Sequence, residues 1–345
     1  MQPKPLEIIQ EFKPSVKTAV ILRNPNNQRA AEIANSVYKN ITRGDTRVAQ
    51  AYIEDTQALP ENYNPLLEAY DKDDRNAWLV VGGDGTFSQF ANSQPESPVM
   101  IIPAGYANDM HKMLYLAKPL KFPGLILQRG KRSVIRPLEI KRYEPSNGIE
   151  SVSSVLDQLY AHKDTNTEKL IQPVDTELAF GYWGLGLSGL VSHKLNQKDV
   201  RQNRDQLNSL KKFIYSGKII SKSILTSPEI EIIQPTGTRI CHEILFANGS
   251  RMAKVIRFGG VDILNDSATM LELCKPSHSA FISLLGKSAV LAINARFNPN
   301  SQHTFGIKSS EDIYSQRDGE VRQQTSGAVF QVGISDYELN VITAR

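Results

Sequence analysis

The sequence is poor in the residues that staple or anchor small proteins. Its 345 residues hold two cysteines, Cys241 and Cys274. Two cannot build a disulfide framework, and two free thiols in a reducing compartment is the expectation. No apolar run approaches the roughly 18 residues needed to span a bilayer. The longest, such as Ala77 to Val81 and Ala280 to Leu285, are the size of a strand or a helical turn. The opening stretch MQPKPLEIIQEFKPSVK lacks the apolar core of a signal peptide, so export by that route is not expected. The expected location is the cytoplasm, free or at a membrane surface. A formal net charge of +4 is too small to argue for nucleic acid as a partner. The histidines, His111, His162, His193, His242, His278 and His303, have no zinc-ligand spacing.

What is present is a globular composition, 40% hydrophobic and 22% charged, with enough apolar material for a sizeable core. At about 150 residues per domain, the length predicts two domains. The first third alternates strand and helix signals. Thr18 to Arg23 is an apolar run ending at the turn signal Asn24-Pro25. Ala30, Ile33, Ala34, Val37 and Ile41 then form a helical stripe. Val48 to Ile53, Ala77 to Val81 and Val99 to Ile102 read as strands, the last two buried on both faces. Such alternation predicts a parallel sheet covered by helices. After about residue 140 the texture changes to a polar stretch with a short apolar segment near Val155 and Leu156, a loop or an inserted helix. Strand-like segments follow at Thr176 to Phe180, Glu229 to Ile233, Glu243 to Ala247, Lys254 to Phe258, Met270 to Leu273, Ala289 to Ala295 and Val329 to Val332. Few helical crossovers separate them, so the second domain is expected to be antiparallel.

The sharpest motif is Gly82-Gly83-Asp84-Gly85-Thr86, between the strand Ala77 to Val81 and a helix-compatible segment from Phe87 to Ser93. Glycines allow a tight turn and close approach to an anion. Amides at a helix start can hold phosphate, and a carboxylate suits the accompanying magnesium. One strand later comes Pro103-Ala104-Gly105-Tyr106-Ala107-Asn108-Asp109. In an open parallel sheet, ligands bind outside the C-terminal strand ends, so Asp84 and Asp109 are expected to line one crevice.

These two motifs, in this order, resemble the catalytic domain of the diacylglycerol kinase family, which includes bacterial lipid kinases and sphingosine and ceramide kinases. Asn24-Pro25 resembles that family's nucleotide loop, and Thr56 falls at its nucleotide-contacting threonine. Pro137-Leu138-Glu139-Ile140 is similar to its I-D-I segment, Gly184-Leu185-Gly186 to a glycine of its second domain, and Asp318-Gly319-Glu320 to its late D-G-E motif. The resemblance implies an N-terminal α/β domain like those of NAD kinases and phosphofructokinases, at residues 15–136 and 328–345. A larger β-rich antiparallel domain, at 137–327, would take the lipid. The implied activity is transfer of the γ-phosphoryl group of ATP to a lipid hydroxyl, with diacylglycerol or a related lipid as acceptor. ATP would sit on Asn24, Pro25, Asn26, Thr56, Gly82, Gly83, Asp84, Gly85, Thr86, Gly105, Tyr106, Asn108 and Asp109. Magnesium would involve Asp84, Asp109 and Glu139, and Asp266 in a structural site. Glu320 would act as base, with Asp318 beside it and Asp84 on the metal–phosphate side.

The chain departs from the family at Asn26-Asn27-Gln28, at Tyr106 where a threonine is usual, at Ser88-Gln89, and at Asn265-Asp266-Ser267. A nucleotide- or lipid-binding protein of this fold without catalysis is therefore the second reading. NAD kinase is disfavoured by the segment Pro103 to Asp109. Independently of the family, Lys194 to Lys222 carries eight Lys or Arg against two Asp, with Leu207, Leu210, Phe213 and Ile214 at roughly helical spacing. This suits a solvated helix face packed on its own domain, or contact with an anionic membrane. The expected partners are a lipid substrate, that membrane surface and, in addition, a second copy as a homodimer; nucleic acid is not among them.

Overall fold

The computed structural model describes residues 16–43, 48–57, 60–105, 108–115, 126–127, 130–145, 151–161, 171–205, 207, 209–252, 256–258, 261–264, 268–273, 295–296 and 302–343. The chain divides into two units, Met1–Val134 with Leu339–Arg345, and Ile135–Glu338.

The first unit is built on a sheet of β1 (Thr18–Arg23), β2 (Gln50–Asp55), β3 (Asn76–Gly82), β4 (Val99–Pro103), β5 (Lys131–Ile135) and the late strand β20 (Leu339–Thr343), in the order β2-β1-β3-β4-β20-β5. β2, β1, β3 and β4 run parallel, and β20 joins β4 in parallel at Val341 and Val99. β1, β3 and β4 are nearly continuous apolar runs because both of their faces are covered. Ala19, Ile21, Leu22, Leu79, Val80 and Val81 are all inaccessible to solvent. Helix α1 (Gln28–Arg43) buries Ala30, Ala34, Val37 and Ile41, one stripe at helical spacing. Burial of each large aliphatic side chain contributes about 1.5–3 kcal/mol. α2 (Asn64–Tyr70), α3 (Asp84–Ala91) and α4 (Asp109–Leu114) complete the described helices after β2, β3 and β4.

The second unit contains two six-stranded sheets. One has the order β10 (Gly237–Cys241), β9 (Ile230–Gln234), β16 (His303–Lys308), β19 (Val329–Ile334), β6 (Leu138–Tyr143), β7 (Asp175–Ala179). The other has β15 (Ala295–Arg296), β14 (Thr269–Leu273), β11 (Glu243–Ala247), β8 (Tyr182–Gly186), β17 (Ile313–Arg317), β18 (Glu320–Gln324). Their ladders are antiparallel. Ile140, Ile232, Phe305 and Phe330 from the first sheet meet Trp183, Leu185, Ile244 and Phe246 from the second in one buried cluster, a sandwich core. The apolar segment at Val155 and Leu156 is a helix, α5 (Val152–Ala161), packed on Tyr143 and Val329. Gly306 makes that possible, since a Cβ there would stand 2.1 Å from Val152 Cγ1. The anticipated strand at Lys254 to Phe258 is only the two-residue pairing of Ile256 and Arg257 with Met252 and Arg251. The strand expected at Ala289 to Ala295 lies outside the described residues except at its end.

The return to the first unit occurs at Leu339, not at residue 328. Val329–Ile334 pairs with β16 and β6 and sends Phe330 and Val332 into the sandwich core, which fixes it in the second unit. Besides its strand pairing and the Thr343 hydroxyl, which donates to Lys131 O, a buried tyrosine hydroxyl ties β20 in. Tyr115 Oη donates to Ile342 O at 2.5 Å and accepts the Ile101 amide at 3.3 Å. We expect Tyr115→Phe to lose about 1–3 kcal/mol, because an amide and a carbonyl are left without their partner. Equilibrium urea unfolding checks this; an unchanged midpoint would show that the hydroxyl is not the tie.

Candidate active site

The sheet order sets four strand ends side by side. Thr56 follows β2, Asn24-Pro25 follows β1, Gly83 follows β3 and Ala104-Gly105 follows β4. This is the row of carboxyl ends at which open α/β sheets bind ligands. The Thr56 amide donates to Arg23 O at 2.8 Å, closing the first two ends together. After β1 the chain makes an Asx turn, with Asn24 Oδ1 accepting the Asn26 amide at 2.9 Å. Asn27 Oδ1 then accepts the Ala30 amide at 3.1 Å and so caps α1. The Asn26-Asn27-Gln28 departure is therefore the start of a capped helix.

α3 starts at Asp84, three residues before the expected Phe87, because extended Gly83 serves as its cap. The two glycine turns are pressed together. A Cβ on Gly105 would lie 2.4 Å from the Gly83 Cα, and one on Gly82 would lie 2.5 Å from the Thr86 Cβ. Asn108 adopts a left-handed conformation, φ 52° and ψ 43°, and folds its side chain onto its own loop. Its Oδ1 accepts the Gly105 amide at 3.0 Å and its Nδ2 donates to Gly105 O at 2.7 Å. Asp84 reaches across from α3. One carboxylate oxygen accepts the Asp109 amide at 3.0 Å and the other accepts the Met110 amide at 2.9 Å. Asp109 itself is buried beside Lys112, whose Nζ is 3.4 Å away. The structure thus brings Asn24, Thr56, Gly82, Gly83, Asp84, Thr86, Gly105, Asn108 and Asp109 to one edge of the sheet. Gly85 has open space where a Cβ would be, and Tyr106 lies outside the described residues.

His111, which the sequence reading passed over as a residue without ligand spacing, is buried two residues further along α4. It stacks on Tyr115 at 4.8 Å, its Nε2 has no hydrogen-bond partner among the described residues, and burial with nearby Lys112 pulls its pKa down to about 4.

In the second unit Asp318 and Gly319 form the two-residue turn of the β17–β18 hairpin, with φ of 48° and 95°. Two positive φ values match the twist of the flanking strands. The Asp318 carboxylate is buried and fully engaged. It accepts the amides of Phe180 at 2.8 Å, Gly181 at 2.8 Å and Tyr182 at 2.9 Å. Burial pushes its pKa up and the three amides oppose that. Its geometry is that of a residue holding the 180–182 turn rather than one reaching a substrate. Glu320 begins β18 and pairs with Arg317, whose guanidinium also meets Glu177 at 3.2 Å. Arg322 joins Asp175 and Glu177. Glu177, Ser315, Arg317, Glu320, Val321 and Arg322 line a cavity of about 210 Å³. Sequence reasoning missed Glu177, Arg317 and Arg322, since only the pairing of the strands reveals which charges meet.

Glu139 stands on β6 and pairs with Lys141 at 2.8 Å. Asp266 lies outside the described residues. Among the described residues, no three His, Cys, Asp or Glu side chains cluster as a metal site. Gly184 and Gly186 lie in a different arrangement, around the buried Glu243. Its carboxylate accepts the Ser188 amide at 2.7 Å and bonds the Ser188 hydroxyl, at the start of α6 (Leu187–Asn196). Burial raises its pKa to about 8.

A parallel sheet with paired glycine turns at the carboxyl ends of its strands defines an open α/β domain. Comparison narrows this. Residues 18–140 match the family model of the diacylglycerol kinase catalytic domain, which spans the four parallel strands and both glycine turns. Among solved structures, one from Bacillus anthracis str. Sterne, provisionally named a diacylglycerol kinase, aligns with TM-score 0.58 at 15% identity, covering 95% of this chain and 97% of that chain. A second so named from the same organism gives 0.57 at 16%, with the same coverage. At such identity the likeness shows the fold. No curated protein matches the chain.

Two outcomes are expected of the site residues. Asp84→Asn places an amide group against a backbone amide and should cost about 1–3 kcal/mol. Thermal melts paired with nucleotide titration check it: a variant as stable as the wild type would mean that Asp84 does not organise α4. His111 gives a pH signature. Its folded pKa lies below the unfolded value, so the unfolded chain takes up a proton that the folded chain refuses. Stability should fall as pH drops from about 6.5 towards 4, by up to about 3 kcal/mol. His111→Phe should flatten that part of the curve; denaturant midpoints across the range decide.

Proposed function

We propose that the protein is an ATP-dependent lipid kinase of the diacylglycerol kinase type, transferring a phosphoryl group to a lipid hydroxyl. The observation that carries the reading is the row of turns at the ends of β2, β1, β3 and β4, locked by Asp84, within the stretch matched by the family model. The turns at Asn24 and Gly83, with Thr56, Gly105 and Asn108, offer backbone and small polar groups to a nucleotide. Phosphoryl transfer asks the protein chiefly for positioning and for stabilisation of charge.

The donor set fits magnesium held largely by water and nucleotide phosphate. The Asp109 and Met110 amides hold the Asp84 carboxylate in place at the strand ends, and magnesium, which keeps several waters, asks for only one or two carboxylates. Magnesium would supply neutralisation of phosphate charge there. On the acceptor side we assign Glu320 as the group that takes the hydroxyl proton. Arg317 orients its carboxylate, and Asp318 fixes the hairpin that carries it.

The second reading, a nucleotide binder without transfer, is favoured by the turn after β1. There Asn24 Oδ1 already holds the Asn26 amide and Asn27 caps the helix, so fewer groups face a phosphate. Labelled ATP offered with magnesium and a panel of lipid alcohols separates the readings. We expect phosphorylated lipid from the wild type. Glu320→Gln should leave nucleotide affinity and melting temperature unchanged while lowering turnover about a hundredfold or more. Full activity in that variant removes Glu320 from the role of base. Nucleotide binding with no transfer to any lipid establishes the second reading.

A further inference from the structure

β7 ends one sheet of the sandwich and β18 ends the other. The inward faces of both edges change character along their length. On β17 and β18, Ile313 enters the sandwich core, but the next pairs on that face are Ser315 opposite Arg322 and Arg317 opposite Glu320. On β7, Ala179 is in the core, while Glu177 and Asp175 precede it on the same face. The cavity of about 210 Å³ therefore opens inside the edge of the sandwich, with charged walls next to an apolar core. Inward charges also keep sheet edges from pairing with other chains. That purpose needs no cavity, since ion pairs packed against one another would serve it.

What the cavity would hold follows from its size, its charge and its hydrogen-bonding groups. A water takes about 30 Å³, so there is room for about seven. The hydroxymethyl end of a diacylglycerol would fill a minor part of that space and set ester groups against the charged walls. An acyl chain would strip water from Glu177 and Arg317 and return no hydrogen bond. The charges nearly balance. Asp175, Glu177 and Glu320 stand against Arg317 and Arg322, so a phosphate-bearing headgroup finds no excess of positive charge. A neutral headgroup with several hydroxyls suits both size and charge, because each hydroxyl can donate to a carboxylate and accept from a guanidinium. Arg322 is the group best placed to read it. It is 52% exposed on the solvent side of the cavity, and its ion pairs with Asp175 and Glu177 both run through Nη1, so Nη2 takes no part in them.

We propose that this cavity receives the headgroup of the acceptor lipid and selects a neutral sugar or polyol headgroup over diacylglycerol, with Arg322 as a specificity-determining residue. The acceptor role rests on the kinase reading above; the preference of the cavity for hydroxyl groups is read separately, by binding.

Two measurements on the full chain test it. Labelled ATP and magnesium are offered with dioleoylglycerol, with glucosyl dioleoylglycerol and with phosphatidylglycerol, each in the same neutral micelle. kcat/KM should be at least about tenfold higher for the glucosyl lipid than for dioleoylglycerol, and higher than for anionic phosphatidylglycerol, because a site built to hydrogen-bond hydroxyls rejects acceptors that lack them. Arg322→Met should raise KM for the glucosyl lipid about tenfold with little change in kcat, and Arg322→Lys should recover part of the loss. Saturation-transfer NMR with hexyl glucoside, against hexanol, reads the cavity without turnover. The sugar protons should receive saturation from the wild type, and severalfold less from Arg322→Met at an unchanged melting temperature. Dioleoylglycerol phosphorylated as fast as the glucosyl lipid, or a preference that Arg322→Met leaves intact, overturns the proposal and leaves the kinase reading standing. Saturated sugar protons with no lipid phosphorylated overturn the kinase reading and with it the acceptor role, while the hydroxyl-binding cavity stands. Neither saturation nor transfer removes both.

Discussion

The carboxylate of Asp84 is what makes one site out of two motifs. Each turn follows its own strand, and nothing in either alone places it against the other. The bonds from the Asp109 and Met110 amides to Asp84 do so, at 3.0 and 2.9 Å. Each is a hydrogen bond to a charged acceptor, the kind that contributes about 1.5–3 kcal/mol. They work only because Gly83 and Gly105 let the two backbones touch. A Cβ on Gly105 would force the turns apart, since it would stand 2.4 Å from the Gly83 Cα, and one on Gly83, at 3.1 Å from the Gly105 Cα, would crowd them. The glycines and the aspartate of the first motif, and the glycine of the second, are thus one steric and electrostatic requirement.

The same device recurs elsewhere. Asp71 accepts the Glu96 and Ser97 amides and the Trp78 indole N–H, tying the loop before β4 to the start of β3. In the second unit Asp318 holds three amides, and Glu243 holds one amide and one hydroxyl. Burying a carboxylate disfavours its charge, and amide donors counter that. Asp318 has three such donors. Glu243 has only Ser188 to counter burial, and its pKa rises to about 8. The carboxylates thus differ in what burial demands of them, although each organises main chain.

The first unit was legible because its signals are local. An apolar run flanked by an amphipathic stripe needs no knowledge of distant partners to be read as strand and helix, and β1, α1, β3 and β4 follow from it. The antiparallel character of the second unit was legible from its texture, but not its members. β10, β16, β17 and β18 were not singled out, because short alternating strands with polar faces resemble loops until their partners are known. The end of the second unit was misplaced for a related reason. Val329–Ile334 and Leu339–Thr343 are both good strands, and only the packing of Phe330 and Val332 against the sandwich decides which one leaves. Among site residues, glycine and aspartate at strand ends could be found from their spacing. Glu177 and Arg322 could not, since residues on β7 and β18 meet only through the pairing of separate strands.

In Asp318-Gly319-Glu320 the structural role and the proposed chemical one need not compete. Asp-Gly is a common hairpin signal, and here it does form the hairpin. The turn would form with many pairs of residues; what Asp318 adds is a fixed direction. Its carboxylate binds the turn at 180–182, so the hairpin cannot twist without breaking three hydrogen bonds. Glu320, two residues on, inherits that rigidity through the backbone, and Arg317 opposite it is held by Glu177. In the proposed role of base, Glu320 would gain from placement before the substrate arrives, since ordering it afterwards would cost binding energy. On the proposed assignment, the buried Asp318, which touches no substrate, would serve the half-buried Glu320 in this way.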